Sequence, residues 1–167
     1  MSKFIKINNN IQTYNKSISI EGDKSLSIRW ALLASQAVGK SKAKNLLRSD
    51  DVINTLECLK KLGVQIKISK NICEIIGMGL DGYKYKKNII LNFGNSGTLG
   101  RLIMGLLVHS KVQIKLKGDQ SLSKRDFLRV IKPLKRFGAK IKSNNGKLPI
   151  IIKGTKSANP INYYETR

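Results

Sequence analysis

Glycines fall every third residue in the stretch Leu91-Asn92-Phe93-Gly94-Asn95-Ser96-Gly97-Thr98-Leu99-Gly100-Arg101. An apolar run, Ile89–Leu91, leads into it and a second, Leu102–Val108, leads out, which predicts a strand, a tight turn and a helix. Glycine lets backbone approach a ligand where a β-carbon would clash. The first turn of a helix leaves N–H groups unpaired at the positive end of its dipole, so the chemistry this turn offers is anion binding. Arg101 stands about one turn in and adds a planar cation matched to phosphate or carboxylate. Taken alone, the stretch also reads as a glycine-rich turn capping an ordinary helix.

A second stretch has the same build. Gly22-Asp23-Lys24-Ser25-Leu26-Ser27-Ile28-Arg29 precedes a helical pattern from Trp30 to Val38, with Gly39 ending it. A spacing of 72 residues separates both Gly22 from Gly94 and Arg29 from Arg101. Further on, a spacing of 75 relates Gly63 to Gly138, and Leu56, Leu59 and Leu62 to Ile131, Leu134 and Phe137. Between these marks the elements recur in order. Lys42–Leu47 reads as a strand; Ser49-Asp50-Asp51 opens a helix that carries its acids at the positive end of the dipole. Gly63 stops that helix, and Val64–Ile68 and Ile72–Ile76 form a strand pair. In the second copy Thr98–Val108 is helical and Val112–Leu116 a strand. Asp126–Phe137 is helical with Pro133 weakening or bending one turn, and Ala139–Ser143 and Leu148–Ile152 pair. Phe4–Ile7 and Lys16–Ile20 read as short strands ahead of both copies. Repetition at this length predicts a duplicated helix-strand-helix-strand-strand unit, each placing two helices on one face of a small sheet. Lys24-Ser25 and Ser96-Gly97 open equivalent helices, so two related anion sites are expected, suited to a doubly anionic substrate or to two anionic substrates.

The bulk properties agree with an anionic partner. Of 167 residues, 32 are Lys or Arg against 10 Asp or Glu, a formal charge of +22. That field draws nucleic acid, membrane surfaces or phosphorylated metabolites. The lysines are scattered without a sustained block and with little aromatic interleaving, and the chain is also rich in Ile and Asn, which favours compositional drift plus a small anionic molecule over nucleic acid. Cys58 and Cys73 lack metal-ligand spacing and read as buried free thiols of a reducing compartment. His109, the only histidine, reads as the end of an apolar run. The first ten residues lack the apolar centre of a signal peptide, and no run reaches the ~18 apolar residues of a membrane span. These features predict a soluble, cytoplasmic protein. Ala34–Ser41 lacks only the first glycine of a phosphate-loop pattern, but it follows a helix, where a nucleotide loop would follow a strand.

Four ordered motifs carry a family resemblance: Gly22-Asp23-Lys24-Ser25-Leu26-Ser27-x-Arg29, Leu46-Leu47-Arg48-Ser49-Asp50-Asp51, Gly94-Asn95-Ser96-Gly97-Thr98-x-x-Arg101, and Gly118-Asp119-Gln120-Ser121-Leu122-Ser123-Lys124-Arg125. Together they resemble the EPSP synthase (3-phosphoshikimate 1-carboxyvinyltransferase) family from about Gly22 onward. The resemblance implies an α/β fold of α+β repeats, the inside-out α/β barrel domain of enolpyruvyl transferases. It implies transfer of the enolpyruvyl group of phosphoenolpyruvate to the 5-hydroxyl of shikimate 3-phosphate with release of phosphate, through a tetrahedral intermediate and without cofactor or metal. Carried over by position, Lys24 touches both substrates and is the catalytic candidate, able to donate protons. Ser25 and Arg29 hold shikimate 3-phosphate, and Gly97 and Arg125 contact phosphoenolpyruvate. Asn95, Thr98, Arg101 and Asp51 give support, Asp51 reading first as a helix-start acid. Gly97 would also leave room for the inhibitor glyphosate. Ile28 and Trp30 stand where the family pattern carries a polar and a small residue.

The same resemblance implies a division of the chain. Residues 1–21 would belong to the other domain, 22–93 form a first unit and 94–167 a second. The family has three units in each of two domains. The chain is therefore expected to act as an N-terminal fragment with little activity alone, to expose apolar surface, and to need a further C-terminal polypeptide. Two other readings stay open: a basic nucleic-acid-binding module, and the related UDP-N-acetylglucosamine enolpyruvyl transferase.

Overall fold

The computed structural model describes residues 20–84 and 87–164, with residues 6, 15, 17 and 18 ahead of them. The expected strands at Phe4–Ile7 and Lys16–Ile20 lie largely outside the described residues.

The first helix, α1 (Lys24–Gln36), begins where the Asp23 carboxylate accepts the N–H of Leu26 at 2.7 Å. It starts at Lys24, six residues before the apolar pattern that predicted it, because the cap sets the start and Ser27 and Ile28 are already buried. Ala37 turns the chain into extended conformation, and β1 (Val38–Lys44) follows at once. Gly39 therefore lies in a strand and does not end the helix, and the strand expected at Lys42–Leu47 sits several residues earlier. The cause is tertiary. Strand β3 (Ile72–Met78) pairs antiparallel with β1 along its whole length, Val38 opposite Met78 and Lys44 opposite Ile72. Gly77 permits this register: a β-carbon there would stand 2.2 Å from the Ala37 carbonyl oxygen and 2.3 Å from that of Ala34.

Helix α2 (Asp50–Lys61) and strand β2 (Gln65–Ser69) fall close to where the pattern puts them, and Gly63 takes φ +89 at the stop. After β4 (Ile90–Asn92) come α3 (Gly97–Leu106), β5 (Ile114–Lys117), a short helix α4 (Gln120–Ser123), α5 (Leu128–Phe137), β6 (Lys140–Asn144) and β7 (Lys147–Lys153). Helix α4 escapes the periodicity reading because a single turn shows no period. Helix α5 starts two residues later than expected, with the Asp126 carboxylate accepting the N–H of Leu128 at 2.7 Å. It runs through Pro133 and ends on Gly138 at φ +115.

The two sheets have the same wiring. One is ordered β1-β3-β2 and the other β4-β5-β7-β6, with β5-β7-β6 matching β1-β3-β2 in order and in antiparallel sense. Strand β4 adds a parallel edge beside β5. Helices α1 and α2 cover the first sheet with Ile28, Ala31, Val52, Leu56 and Leu59, each under 2% exposed. Burial of each of the isoleucine, valine and leucine side chains among them stabilises by about 1.5–3 kcal/mol relative to exposure. The second sheet is covered by Leu99, Ile103, Met104 and Ile131. One continuous core joins the halves. Helix α1 packs on α3 and α2 on β4, where the Cys58 thiol donates to the Asn92 carbonyl at 3.3 Å and Lys61 Nζ to that of Ile90 at 3.2 Å.

Both cysteines are free and buried. Burial pushes the Cys58 thiol up to about 12 and raises that of Cys73, so both are neutral thiols at ordinary pH. His109 lies just beyond α3 with its ring edge-on to Phe137. Apolar surface is exposed as expected: Leu26 and Leu33, seven residues apart on α1, are 64% and 70% exposed. No helix among the described residues is long and apolar enough to cross a membrane.

Candidate functional site

Local chemistry aims several chain ends at one point. Asp23 caps α1 so that Lys24 is its first residue. Ser96 caps α3, its hydroxyl accepting the N–H of Leu99 at 3.3 Å, so that Gly97 is first. Asp51 lies in the first turn of α2, and Arg125 follows the C-cap of α4. The packing of α1 on α3 brings these ends around an open cavity of about 280 Å³, lined by Lys24, Asp51, Asn95, Gly97, Thr98, Arg101 and Arg125.

Two of the larger hollows lie elsewhere and gather none of the expected residues. One, of about 460 Å³, is bounded by Asn45–Arg48 and Lys70–Cys73. The other, of about 840 Å³, runs between Tyr83 and Lys84 and the segment Lys153–Lys156.

Three cations face one carboxylate in the small cavity, so its field suits an anion. Lys24 Nζ is 3.2 Å from Asp51 Oδ2, and the lysine side chain is half exposed. That pair contributes little to stability at such exposure. Its effect is to hold the ammonium at the cavity mouth with donors to spare. Arg101 is fixed from three sides. Its Nη1 donates to the Gly97 carbonyl at 3.3 Å, its Nη2 to that of Asp126 at 3.1 Å, and its guanidinium lies 5.0 Å over the Phe127 ring. Arg125 Nη2 donates to Asn95 Oδ1 at 3.1 Å. Asn95 Nδ2 in turn donates to Asp119 Oδ2 at 2.8 Å.

Gly97 has a steric reason to be glycine. A β-carbon there would stand 2.8 Å from Arg101 Nη1 and 3.3 Å from Arg125 Nη1. Without one, both guanidinium groups crowd onto the first turn of α3, where N–H groups are unpaired. Gly94 at φ +56 makes the turn itself, and a β-carbon there would meet Asn54 Nδ2 at 2.4 Å.

The two related anion sites expected at the helix starts open onto one cavity. Of the expected residues, Lys24, Asp51, Asn95, Gly97, Thr98, Arg101 and Arg125 line it. Ser25 and Arg29 do not. They are one helical turn apart on α1 and share a face of that helix, with Arg29 exposed. Ile28 is fully buried and Trp30 packs against the core, so neither lines the anion cavity. The family reading left Asp119 and Phe127 without a role, although both touch a cavity arginine or its partner. Asp119 carried a signal in the sequence, an acid placed to cap a turn; the seat of Phe127 under Arg101 did not.

The model of the family EPSP synthase (3-phosphoshikimate 1-carboxyvinyltransferase) matches residues 8–166. A 3-phosphoshikimate 1-carboxyvinyltransferase of Vesicomyosocius okutanii is 47% identical over 98% of this chain and 37% of its own length. Proteins of the same name from Ruthia magnifica and Streptococcus suis are 44% and 38% identical, with 37% and 38% of their lengths matched. The chain thus spans less than two-fifths of these relatives. Among solved structures, EPSP synthase of Acinetobacter baumannii superimposes with a TM-score of 0.81 at 35% identity, over 87% of this chain and 33% of that one.

Proposed function

The chain belongs to the EPSP synthase family, and from that premise we propose that it contributes the anion-binding half of an enolpyruvyl-transfer site. The reaction is transfer of the enolpyruvyl group of phosphoenolpyruvate to the 5-hydroxyl of shikimate 3-phosphate, in the cytoplasm. The observation that carries the reading is the meeting of Lys24, Arg101 and Arg125 with the glycine start of α3 in one cavity. Both substrates are multiply anionic, and several fixed cations offset their repulsion.

In this reading Arg125 and the first turn of α3 hold the phosphate or carboxylate of phosphoenolpyruvate, with Arg101 and Asn95 in support. Lys24 sits between the two substrates and donates hydrogen bonds to both, exchanging one of its donors from Asp51. Ser25 and Arg29 offer a neighbouring surface to shikimate 3-phosphate. The division of the chain at residue 93, with a unit on either side, belongs to the same proposal, and the matched wiring of the two sheets supports it. The rest of the active site is assigned in this proposal to the part of the family's length that this chain does not span, since the relatives are much longer.

Calorimetric titration tests the reading. The chain is expected to bind phosphoenolpyruvate, and Lys24→Ala to weaken that binding about tenfold, the worth of one charge-assisted hydrogen bond. Silence towards phosphoenolpyruvate and shikimate 3-phosphate, with strong salt-sensitive RNA binding, would replace it by the nucleic-acid reading.

Gly97→Ala is expected to leave thermal stability nearly unchanged, because the atoms its methyl meets most closely are the tips of two arginine side chains. It should push both tips off the helix start, weakening phosphoenolpyruvate about tenfold and glyphosate at least as much. Equal affinities in a side-by-side titration of variant and parent would remove Gly97 from the anion site.

A further inference from the structure

The chain Asp119–Asn95–Arg125 raises a question of sign. A carboxylate near an anion site opposes the anion by charge. Asp119 nonetheless stands one residue removed from Arg125, joined to it through Asn95. We propose that Asp119 is a positioning residue, which fixes the amide orientation of Asn95 and thereby aims Arg125 at the bound anion. The inference rests on the anion-site reading of Arg125 given above.

The hydrogen-bond inventory determines the orientation. A carboxylate only accepts and a guanidinium only donates. Asn95 is therefore forced to turn its Nδ2 to Asp119 (2.8 Å) and its Oδ1 to Arg125 (3.1 Å). Asp119 is itself held on three sides. Its N–H donates to the Gly94 carbonyl at 2.8 Å, its Oδ1 accepts the N–H of Leu122 at 2.7 Å, and its Oδ2 takes Asn95. The glycine turn and the start of α4 are thereby tied to the same side chain. Gly118 permits the close approach, since a β-carbon there would lie 2.9 Å from the Gly94 carbonyl oxygen. Orientation passes from a rigid turn to an otherwise exposed arginine.

Asp119→Asn separates this role from charge and from folding. Asparagine is as good a helix cap as aspartate, so α4 keeps its start. The introduced amide has one oxygen for two donors, the N–H of Leu122 and Asn95 Nδ2. If that oxygen keeps the cap, the new NH2 faces the NH2 of Asn95, and Asn95 flips to present donors to Arg125. Charge alone predicts tighter anion binding in this variant, whereas positioning predicts weaker binding.

Two measurements on the 167-residue chain decide between them: calorimetric titration with phosphoenolpyruvate, and NMR of the Asn95 side-chain amide and the Arg125 Nε–H. The expected result is about tenfold weaker binding, together with displaced Asn95 and Arg125 signals in the ligand-free protein. Unmoved signals, or tighter binding of phosphoenolpyruvate, would overturn the positioning role. Displaced signals with unchanged affinity would uphold it and overturn the anion-site reading of Arg125 instead. Since the NMR comparison needs no ligand, the two failures remain distinct.

Discussion

Arg125→Ala is expected to weaken phosphoenolpyruvate binding about a hundredfold, through loss of two charge-assisted hydrogen bonds from one planar fork. The side chain is exposed, is held within the site by Asn95, and carries none of the core. Stability should accordingly change by less than about 0.5 kcal/mol. The contrast with Lys24→Ala is informative. Lysine presents a flexible point charge already shared with Asp51, while Arg125 is oriented before the ligand arrives. Arg125→Lys should fall between parent and alanine, because it keeps the charge and loses the fork. Titration at one fixed ionic strength, with circular dichroism as a control for folding, checks all three. An alanine variant with the parent's affinity would show that the anion is held elsewhere.

Phe127→Ala is expected to cost about 3–5 kcal/mol of stability, the usual range for removing a buried aromatic ring. The ring is fully buried. It packs where a β-carbon on Gly100 would come within 3.1 Å of it, and it underlies Arg101 at 5.0 Å. Its removal leaves a void between α3 and α5 and takes away the platform of one cavity arginine. A domain with a typical ~5–15 kcal/mol to lose would surrender about a fifth or more of it. Urea unfolding followed by tryptophan fluorescence from Trp30 gives the measurement. Phe127→Leu, which keeps most of the volume, should cost about 1–2 kcal/mol and retain binding. A loss below about 1 kcal/mol in the alanine variant would mean that the ring carries little of the packing between α3 and α5.

Helices with apolar stripes and capped ends, the paired strands after Gly63 and Gly138, and the glycine-bearing turns that lead into α1 and α3 are all legible in the chain itself. Neighbours in sequence settle them: a cap two or three residues away, a stripe at helical spacing, a glycine that takes positive φ. The charge and the motif order that carry the family resemblance are legible in the same way. Other features needed packing between distant segments. β1 begins at Val38 and not near Lys42 because β3 pairs with it and Gly77 admits the end of α1. Helix α4 exists because Asp119 caps a single turn against the Gly94 turn. The two expected anion sites are one cavity because α1 packs on α3, a contact between segments about 70 residues apart. The distinction between Arg101, fixed on Phe127, and Arg125, aimed through Asn95, has the same origin. Local rules fix where a helix starts, but which side chains meet across that start depends on how two faces far apart in sequence bury their apolar surface together.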